Sequence, residues 1–366
     1  MALTRREWLI TSGIALSRLA VPISSAEAKA IAQSQPVRLS LNENPFGPSP
    51  LAVAAIQGQL GEICRYPDKG IASLTQAIVV RENVSADQIV LGEILGALGL
   101  HLAMSGPASG EFVYSEPGYT ALVDAVAPAG GVTIGVPLDE HLENDLSAIA
   151  AKVGPRTRAI YLVNPHNPTG TVSDPRAFTA FVQEMSERTT VIVDEAYLEF
   201  EPDFAQRTVA VLTRAGRNVV VFRTFGKIYG LAGLSIGYAI APGGLAARLK
   251  RAGIGGPATL DRLALAAAAA SLCDTHYVPM MRAKVIAERD KWNSLFDSLQ
   301  LRHSDSRGNF VFVETGRPHR EIAAAMHEKG IDIGRAFPPL DHWARISIGL
   351  PSENAVARAA ISSLLR

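Results

Sequence analysis

Thr190-Val-Ile-Val-Asp194, running on into Glu195-Ala-Tyr197, is apolar on both faces of a strand and turns polar only at its carboxyl end. A strand with one face in water would alternate, so this one reads as a central strand covered by helices on both sides. Asn218-Val-Val-Val-Phe222 repeats the pattern and runs into Arg223-Thr-Phe-Gly-Lys227. Working outward, five further apolar runs lie at residues 88–91, 111–115, 132–137, 158–163 and 235–241, separated by helical patterns. With 190–194 and 218–223 they predict an α/β fold built on a mostly parallel seven-stranded sheet between helices.

Beyond Pro242 the character changes. An alanine-rich helical region covers 244–299, including an unbroken alanine run at 266–270. A strand at 309–314, a helix at 319–329, strands at 331–333 and 344–348 and a helix at 353–365 read as a small α+β domain. Before the sheet, Leu39-Ser-Leu-Asn-Glu-Asn-Pro-Phe-Gly-Pro-Ser-Pro50 is an extended arm rich in Pro and Asn, and 51–60 reads as a helix. The expected division is an N-terminal segment 1–30, an arm 31–60 completing the small domain, a large domain 61–250 and a small domain 251–366.

At 366 residues and 48% hydrophobic the chain exceeds the size of one core, which suits two domains. Lys+Arg 35 against Asp+Glu 35 leaves no net charge, and no basic stripe stands out, so a nucleic-acid partner is not expected. Cys64 and Cys273 make neither a disulfide framework nor a zinc site. His101, His166 and His276 lack metal-ligand spacing, so no metal is expected. At the N-terminus, Arg5-Arg6 precede an apolar stretch to about Ile23, and Ser24-Ser-Ala-Glu-Ala28 offers small residues for cleavage. This is similar to a twin-arginine export signal and implies a periplasmic protein. The stretch is too short and interrupted to span a bilayer, so no stable membrane association is expected.

Three strand ends carry polar residues at the edge where open α/β sheets collect ligands. They are Asn164-Pro-His-Asn-Pro-Thr-Gly170, Asp194-Glu-Ala-Tyr197 and Thr224-Phe-Gly-Lys227. Such a set meets the needs of a pyridoxal cofactor: an amine for its aldehyde, a carboxylate for the pyridine nitrogen, donors for the ring phenolate and a phosphate cradle. Lys227 supplies the amine. Asp194, at the end of an apolar strand, needs a cationic partner, and a protonated pyridine nitrogen is one. Asn167 and Tyr197 are donors suited to the phenolate oxygen. Each motif alone is an ordinary turn, cap or solvated lysine; their collinearity carries the signal.

The set resembles the fold-type I aminotransferases, and most the histidinol-phosphate aminotransferase family. The matching pieces run in family order from about residue 39 to the end: Leu41-Asn-Glu-Asn-Pro-Phe-Gly-Pro-Ser49, Arg65-Tyr-Pro-Asp68, Glu116-Pro-Gly-Tyr119, the three strand ends, Gly230-Leu-Ala-Gly-Leu234, Gly308-Asn-Phe310 and Arg345-Ile-Ser-Ile-Gly349. The resemblance implies pyridoxal 5'-phosphate (PLP) as cofactor, an amino donor and a 2-oxo acid as substrates, and a homodimer. It implies Lys227 as the Schiff-base lysine, Asp194 as the pyridine partner, Asn167 and Tyr197 as phenolate donors, and Tyr119 stacked on the ring. Thr224, with the turn at Gly92 and Glu93, would meet the phosphate, as would Tyr66 of the neighbouring subunit. Arg345 would clamp a substrate carboxylate or phosphate, and Asn44 and Asn309 would lie on the substrate side.

The departures from that family gather at the phosphate. Its small polar Gly-x-Gly-Ser turn is replaced by Leu91-Gly-Glu-Ile-Leu-Gly-Ala97, the Ser or Thr before the lysine by Gly226, and the Arg after Gly-Leu-Ala-Gly-Leu by Ser235. Weaker PLP binding is expected, with Arg223 as a substitute cation. Two other readings follow: a decarboxylase or lyase on the same fold and cofactor, or a non-catalytic binding protein on a degenerate aminotransferase fold.

Overall fold

The seven apolar runs pair into one sheet. In the computed structural model, which describes residues 36–106 and 108–365, the strands are β1 (Val37–Leu39), β2 (Ile89–Leu91), β3 (Glu111–Glu116), β4 (Val132–Pro137), β5 (Thr157–Val163), β6 (Thr190–Asp194), β7 (Val219–Thr224), β8 (Gly237–Ile240), β9 (Phe310–Glu314), β10 (Ile331–Ile333) and β11 (Trp343–Ser347). The large sheet has the order β2-β8-β7-β6-β5-β3-β4. Only β8 opposes the rest, pairing antiparallel with both β2 and β7. The twin-arginine segment read at residues 1–30 lies outside the described residues. Among the described residues no helix is long and apolar enough to cross a membrane.

Register decides what the sheet presents at its carboxyl edge. Asp194 lies level with Val163 on β5 and Phe222 on β7. The Asn164 N–H donates to the Asp194 carbonyl (2.9 Å), and the Glu195 N–H to the Phe222 carbonyl (2.9 Å). The three polar strand ends therefore leave the sheet side by side. Beneath them, Val90, Leu98, Phe112, Tyr161, Ile192, Val220 and Phe222 share one buried core between sheet and helices. Fully burying side chains of this kind contributes ~1.5–3 kcal/mol each, enough to fix the strand ends rigidly.

The alanine-rich helical region forms three helices, Gly243–Arg251, Arg262–Cys273 and Tyr277–Ser298. Gly253 and Gly255, both left-handed, end the first. The Asp261 carboxylate restarts the second by accepting from the Ala264 N–H (2.9 Å), a standard N-cap. The C-terminal region carries two small sheets, β9 with β11 and β1 with β10. The N-terminal arm thus pairs with a C-terminal strand. Residues 38–365 pack as one compact unit, in which the C-terminal region carries sheets of its own.

The arm explains this unity. The Asn42 N–H donates to the Ser347 hydroxyl (2.8 Å), and the Asn309 amide donates to the carbonyls of Asn42 (2.9 Å) and Glu43 (3.1 Å). On the other side the Asn44 amide donates to the Ile228 carbonyl (2.8 Å), one residue past Lys227. Asn42 is left-handed (φ 54°), a conformation Asn tolerates better than most residues.

Candidate active site

A cavity of about 760 Å³ opens at the carboxyl edge of the sheet, roofed by the arm and by β10 and β11. Its wall includes Lys227, Asp194, Asn167, Tyr197, Tyr119, Thr224, Glu93 and Arg345. Lys227 and Asp194 thus line one space.

Asp194 is buried at the floor. Its carboxylate accepts from the Ala196 N–H (3.0 Å) and the Tyr161 hydroxyl (3.1 Å) and from no cationic side chain among the described residues. Burial outweighs these bonds and the nearby Lys227 charge, and pushes its pKa up to about 7. A carboxylate so placed favours a cation arriving beside it. Lys227 is half-buried; its ammonium donates to the Leu41 carbonyl (3.3 Å) and lies 5.6 Å from the centre of the Tyr197 ring. The Tyr197 hydroxyl accepts from the amides of Asn42 (3.1 Å) and Asn167 (3.4 Å), which leaves its own proton to donate into the cavity. Tyr119, 43% exposed, forms another part of the wall; burial against the carboxylates pushes its hydroxyl up to about 12, so it stays a neutral ring.

At the substrate end, the buried Arg345 guanidinium donates to the Asn167 side-chain oxygen (2.6 Å) and the Ser40 carbonyl (2.7 Å). Phe337 takes two guanidinium groups on its ring, Arg335 at 4.3 Å and Arg345 at 5.0 Å from the centre. At the opposite end, Glu93, Thr224, Gly226, Ala232 and Ser235 form the wall, and the Thr224 hydroxyl donates to the Glu93 carboxylate.

Five expected contacts are not made from within this chain's cavity. The Gly92 N–H is spent on the Gly237 carbonyl (2.8 Å), so Gly92 (φ 113°) shapes the turn and does not line the wall. Asn44 and Asn309 anchor the arm, as described above, and lie outside the wall. Tyr66 is 76% exposed and away from the cavity. Arg223 is no substitute phosphate ligand: it is wholly buried on the other face of β7, paired with Glu82 (2.5 Å) and Glu195 (2.9 Å). Alternation along a strand dictates this, since Phe222 and Thr224 face the cavity. Sequence reading missed Asn42, Tyr161, Arg335 and Phe337. Tyr161 had a signal, a hydroxyl inside an apolar strand that must find a partner.

The ring end suits a pyridoxal: an amine, a buried carboxylate seeking a cation, a free phenol proton and an aromatic wall. The phosphate end offers the hydroxyls of Thr224 and Ser235 and, at the helix Leu95–Met104, an N-terminus that no side chain caps. It also presents the Glu93 carboxylate.

The profile of the aminotransferase class I and II family matches residues 34–361. The histidinol-phosphate aminotransferase of Limosilactobacillus fermentum is 34% identical over 334 residues, covering 90% of this chain and 91% of that protein. The aromatic amino acid aminotransferase of Thermobifida fusca is 34% identical over 318 residues, covering 87% of each. The structure of histidinol-phosphate aminotransferase from Sinorhizobium meliloti in complex with pyridoxal-5'-phosphate superposes with a TM-score of 0.82 at 30% identity, covering 100% of this chain and 98% of that one. With cavity, topology and sequence in agreement, the chain belongs to the class I and II aminotransferases, the fold-type I enzymes that use PLP.

Proposed function

We propose that this transaminase moves an amino group from an anionic amino acid or amine phosphate to a 2-oxo acid, with histidinol phosphate and 2-oxoglutarate as the favoured pair. The observation that carries the reading is the shared cavity of Lys227, Asp194 and Arg345. Arg345, buried and held in a fixed orientation, presents a guanidinium to a carboxylate or phosphate. Arg335 adds a second cation across Phe337, which suits a substrate with two anionic groups. The T. fusca relative shows that similar sequence identity accompanies an aromatic substrate, so the ring-bearing half of the donor is the tested variable.

PLP, when bound, would supply the sink for the electron pair left as the substrate carbon loses its proton. Asp194 would hold the pyridine nitrogen in its cationic form, and Tyr161 and the Ala196 N–H keep that carboxylate oriented. Lys227 donates to the Leu41 carbonyl and lies over the Tyr197 ring, within the cavity, where its amine would carry the proton to and from the reacting carbon. Asn167 links the ends: it accepts from Arg345 and donates to Tyr197, so a seated substrate anion bears on the group that faces the ring oxygen. The arm from Ser40 to Asn42 lines the cavity.

Incubating the PLP-loaded protein with a panel of amino donors, including histidinol phosphate and aromatic amino acids, tests the reading. An oxo product and transfer to 2-oxoglutarate are expected. Release of carbon dioxide without amino transfer would favour the decarboxylase instead.

The same reading includes a homodimer in which Tyr66 of one subunit reaches the phosphate end of the other; its exposure in the single chain supports this, and light scattering tests it. It also includes export, on the strength of Arg5-Arg6 and the apolar stretch that follows. Histidine synthesis is cytoplasmic, so recovery from the periplasm would point to a donor other than histidinol phosphate.

A further inference from the structure

Among the described residues, the phosphate end of the cavity holds a carboxylate and lacks a guanidinium. The charged side chains in the wall are Glu93, Asp194, Lys227, Arg335 and Arg345. Arg345 is bound to Asn167 and Ser40, Arg335 lies on Phe337 and donates to the Ala336 carbonyl, and Arg223 faces away into its own ion pairs. Lys227 serves the ring. Glu93 is held by one hydrogen bond and has space beside it. The Thr224 hydroxyl donates to it, and Gly237, whose Cβ would stand 3.1 Å from the Glu93 oxygen, leaves room for it. A phosphate seated among Thr224, Ser235 and the helix N-terminus would therefore lie against this carboxyl group.

Two negative groups in contact repel, whereas a carboxylic acid donates a good hydrogen bond to a phosphate oxygen. We propose that Glu93 is a proton-linked determinant of cofactor affinity, accepting the PLP phosphate only as the neutral acid, so that the cofactor binds together with a proton from solvent. The proposal rests on the reading of the cavity as a PLP site. The side chain is open to the cavity, yet the surrounding walls already push its pKa up, against the Thr224 hydrogen bond and the Lys227 charge. An arriving phosphate pushes it further the same way.

The sign follows. Below the Glu93 pKa of the cofactor-free protein the acid is present and binding is insensitive to pH through this group. Above it, affinity falls by up to about tenfold per pH unit. Other titratable groups face Glu93 from the neighbouring elements: Asp194 at the end of β6, Lys227 after β7 and Tyr119 after β3. All three address the pyridine ring. Pyridoxal, which has the ring and lacks the phosphate, therefore reports them without Glu93's effect on phosphate.

The test is equilibrium binding of PLP and of pyridoxal to the full chain and to Glu93→Gln, from about pH 7 to about pH 9, where a phosphate monoester is already dianionic. Calorimetry in two buffers of different ionisation enthalpy counts the protons taken up. In the wild type the PLP-to-pyridoxal affinity ratio is expected to fall with pH, with up to one more proton taken up for PLP than for pyridoxal. In Glu93→Gln the ratio is expected to be flat, with PLP bound tenfold or more tighter at the alkaline end. Equal slopes in the two proteins, or weaker PLP binding by the variant at every pH, would overturn the proposal. Should the variant not fold, the wild-type proton count decides alone, and no excess uptake for PLP sinks it. Failure of both ligands to give the absorbance of a bound pyridoxal would instead overturn the cofactor reading of the cavity.

Discussion

The Arg345 guanidinium donates to the Asn167 side-chain oxygen at 2.6 Å, and the same Asn167 donates through its amide to the Tyr197 hydroxyl at 3.4 Å. The residue placed to hold the substrate anion is therefore one step from the residue placed at the ring. Arg345→Lys keeps the charge but loses the planar fork that reaches Asn167 and Ser40 together. The expected result is a fall in kcat/KM of about 100-fold, or ~2.7 kcal/mol, with kcat lowered as well as KM raised because Asn167 loses its orientation. Steady-state kinetics with a saturable amino donor checks it; a change confined to KM would mean that Arg345 only binds.

Asp194 makes a prediction about the protein without cofactor. Burial holds its carboxyl at about 7 against an ordinary value of 3.8. Between those values the folded chain binds more protons than the unfolded one, so stability falls as pH rises through the window and levels off above about 7. The loss is a few kcal/mol at most. Asp194→Asn should remove that slope and melt higher than the wild type near pH 8, judged by calorimetry of both cofactor-free proteins at several pH values. PLP should reverse the order, since a pyridinium beside the carboxylate restores its charge. Parallel melting curves for the two proteins would rule this out.

The fold and the ring end of the site were legible because both are written locally. Strands apolar on both faces announce a covered sheet, and the polar residues that end them, Asn167, Asp194 and Lys227, fall at one edge by the topology alone. The substrate side was less legible. Asn42, Arg335 and Phe337 come from the arm and the C-terminal strands, and only tertiary packing brings them over the sheet edge. Asn44 and Asn309 have the residue type of ligands but spend their amides on backbone carbonyls of this chain. Arg223 stood beside Thr224 in sequence, and strand alternation put it on the opposite face.

That opposite face gives the third prediction. Arg223 is paired with Glu82 and Glu195, while Tyr238 donates to the same Glu82 (2.8 Å) and Thr208 to the same Glu195 (2.8 Å). Arg223→Leu leaves Glu195 buried without its cation and Glu82 with Arg81 alone (3.4 Å), and breaking a buried pair from one side costs about 3–5 kcal/mol. Denaturant unfolding should show a loss of this size. PLP affinity of the folded fraction should stay within about threefold of the wild type, a difference below ~0.7 kcal/mol. A large loss of affinity with little loss of stability would restore Arg223 as a phosphate ligand.

Ser235 tests the phosphate end from the other side. It lies in the cavity wall, exposed, with a left-handed backbone (φ 46°). Any L-residue bears that conformation at a cost similar to the one serine already carries, so Ser235→Arg is not barred by the backbone. A guanidinium there can pair with the phosphate and with Glu93. A charge-assisted hydrogen bond contributes ~1.5–3 kcal/mol, so PLP should bind at least tenfold tighter. Pyridoxal, with no phosphate to meet the new cation, should bind as before. The arginine also stabilises ionised Glu93, so PLP binding should lose pH dependence along with its weakness. Comparing dissociation constants of the two ligands for wild type and variant checks both points, and equal gains for PLP and pyridoxal would show that the added cation acts elsewhere than on the phosphate.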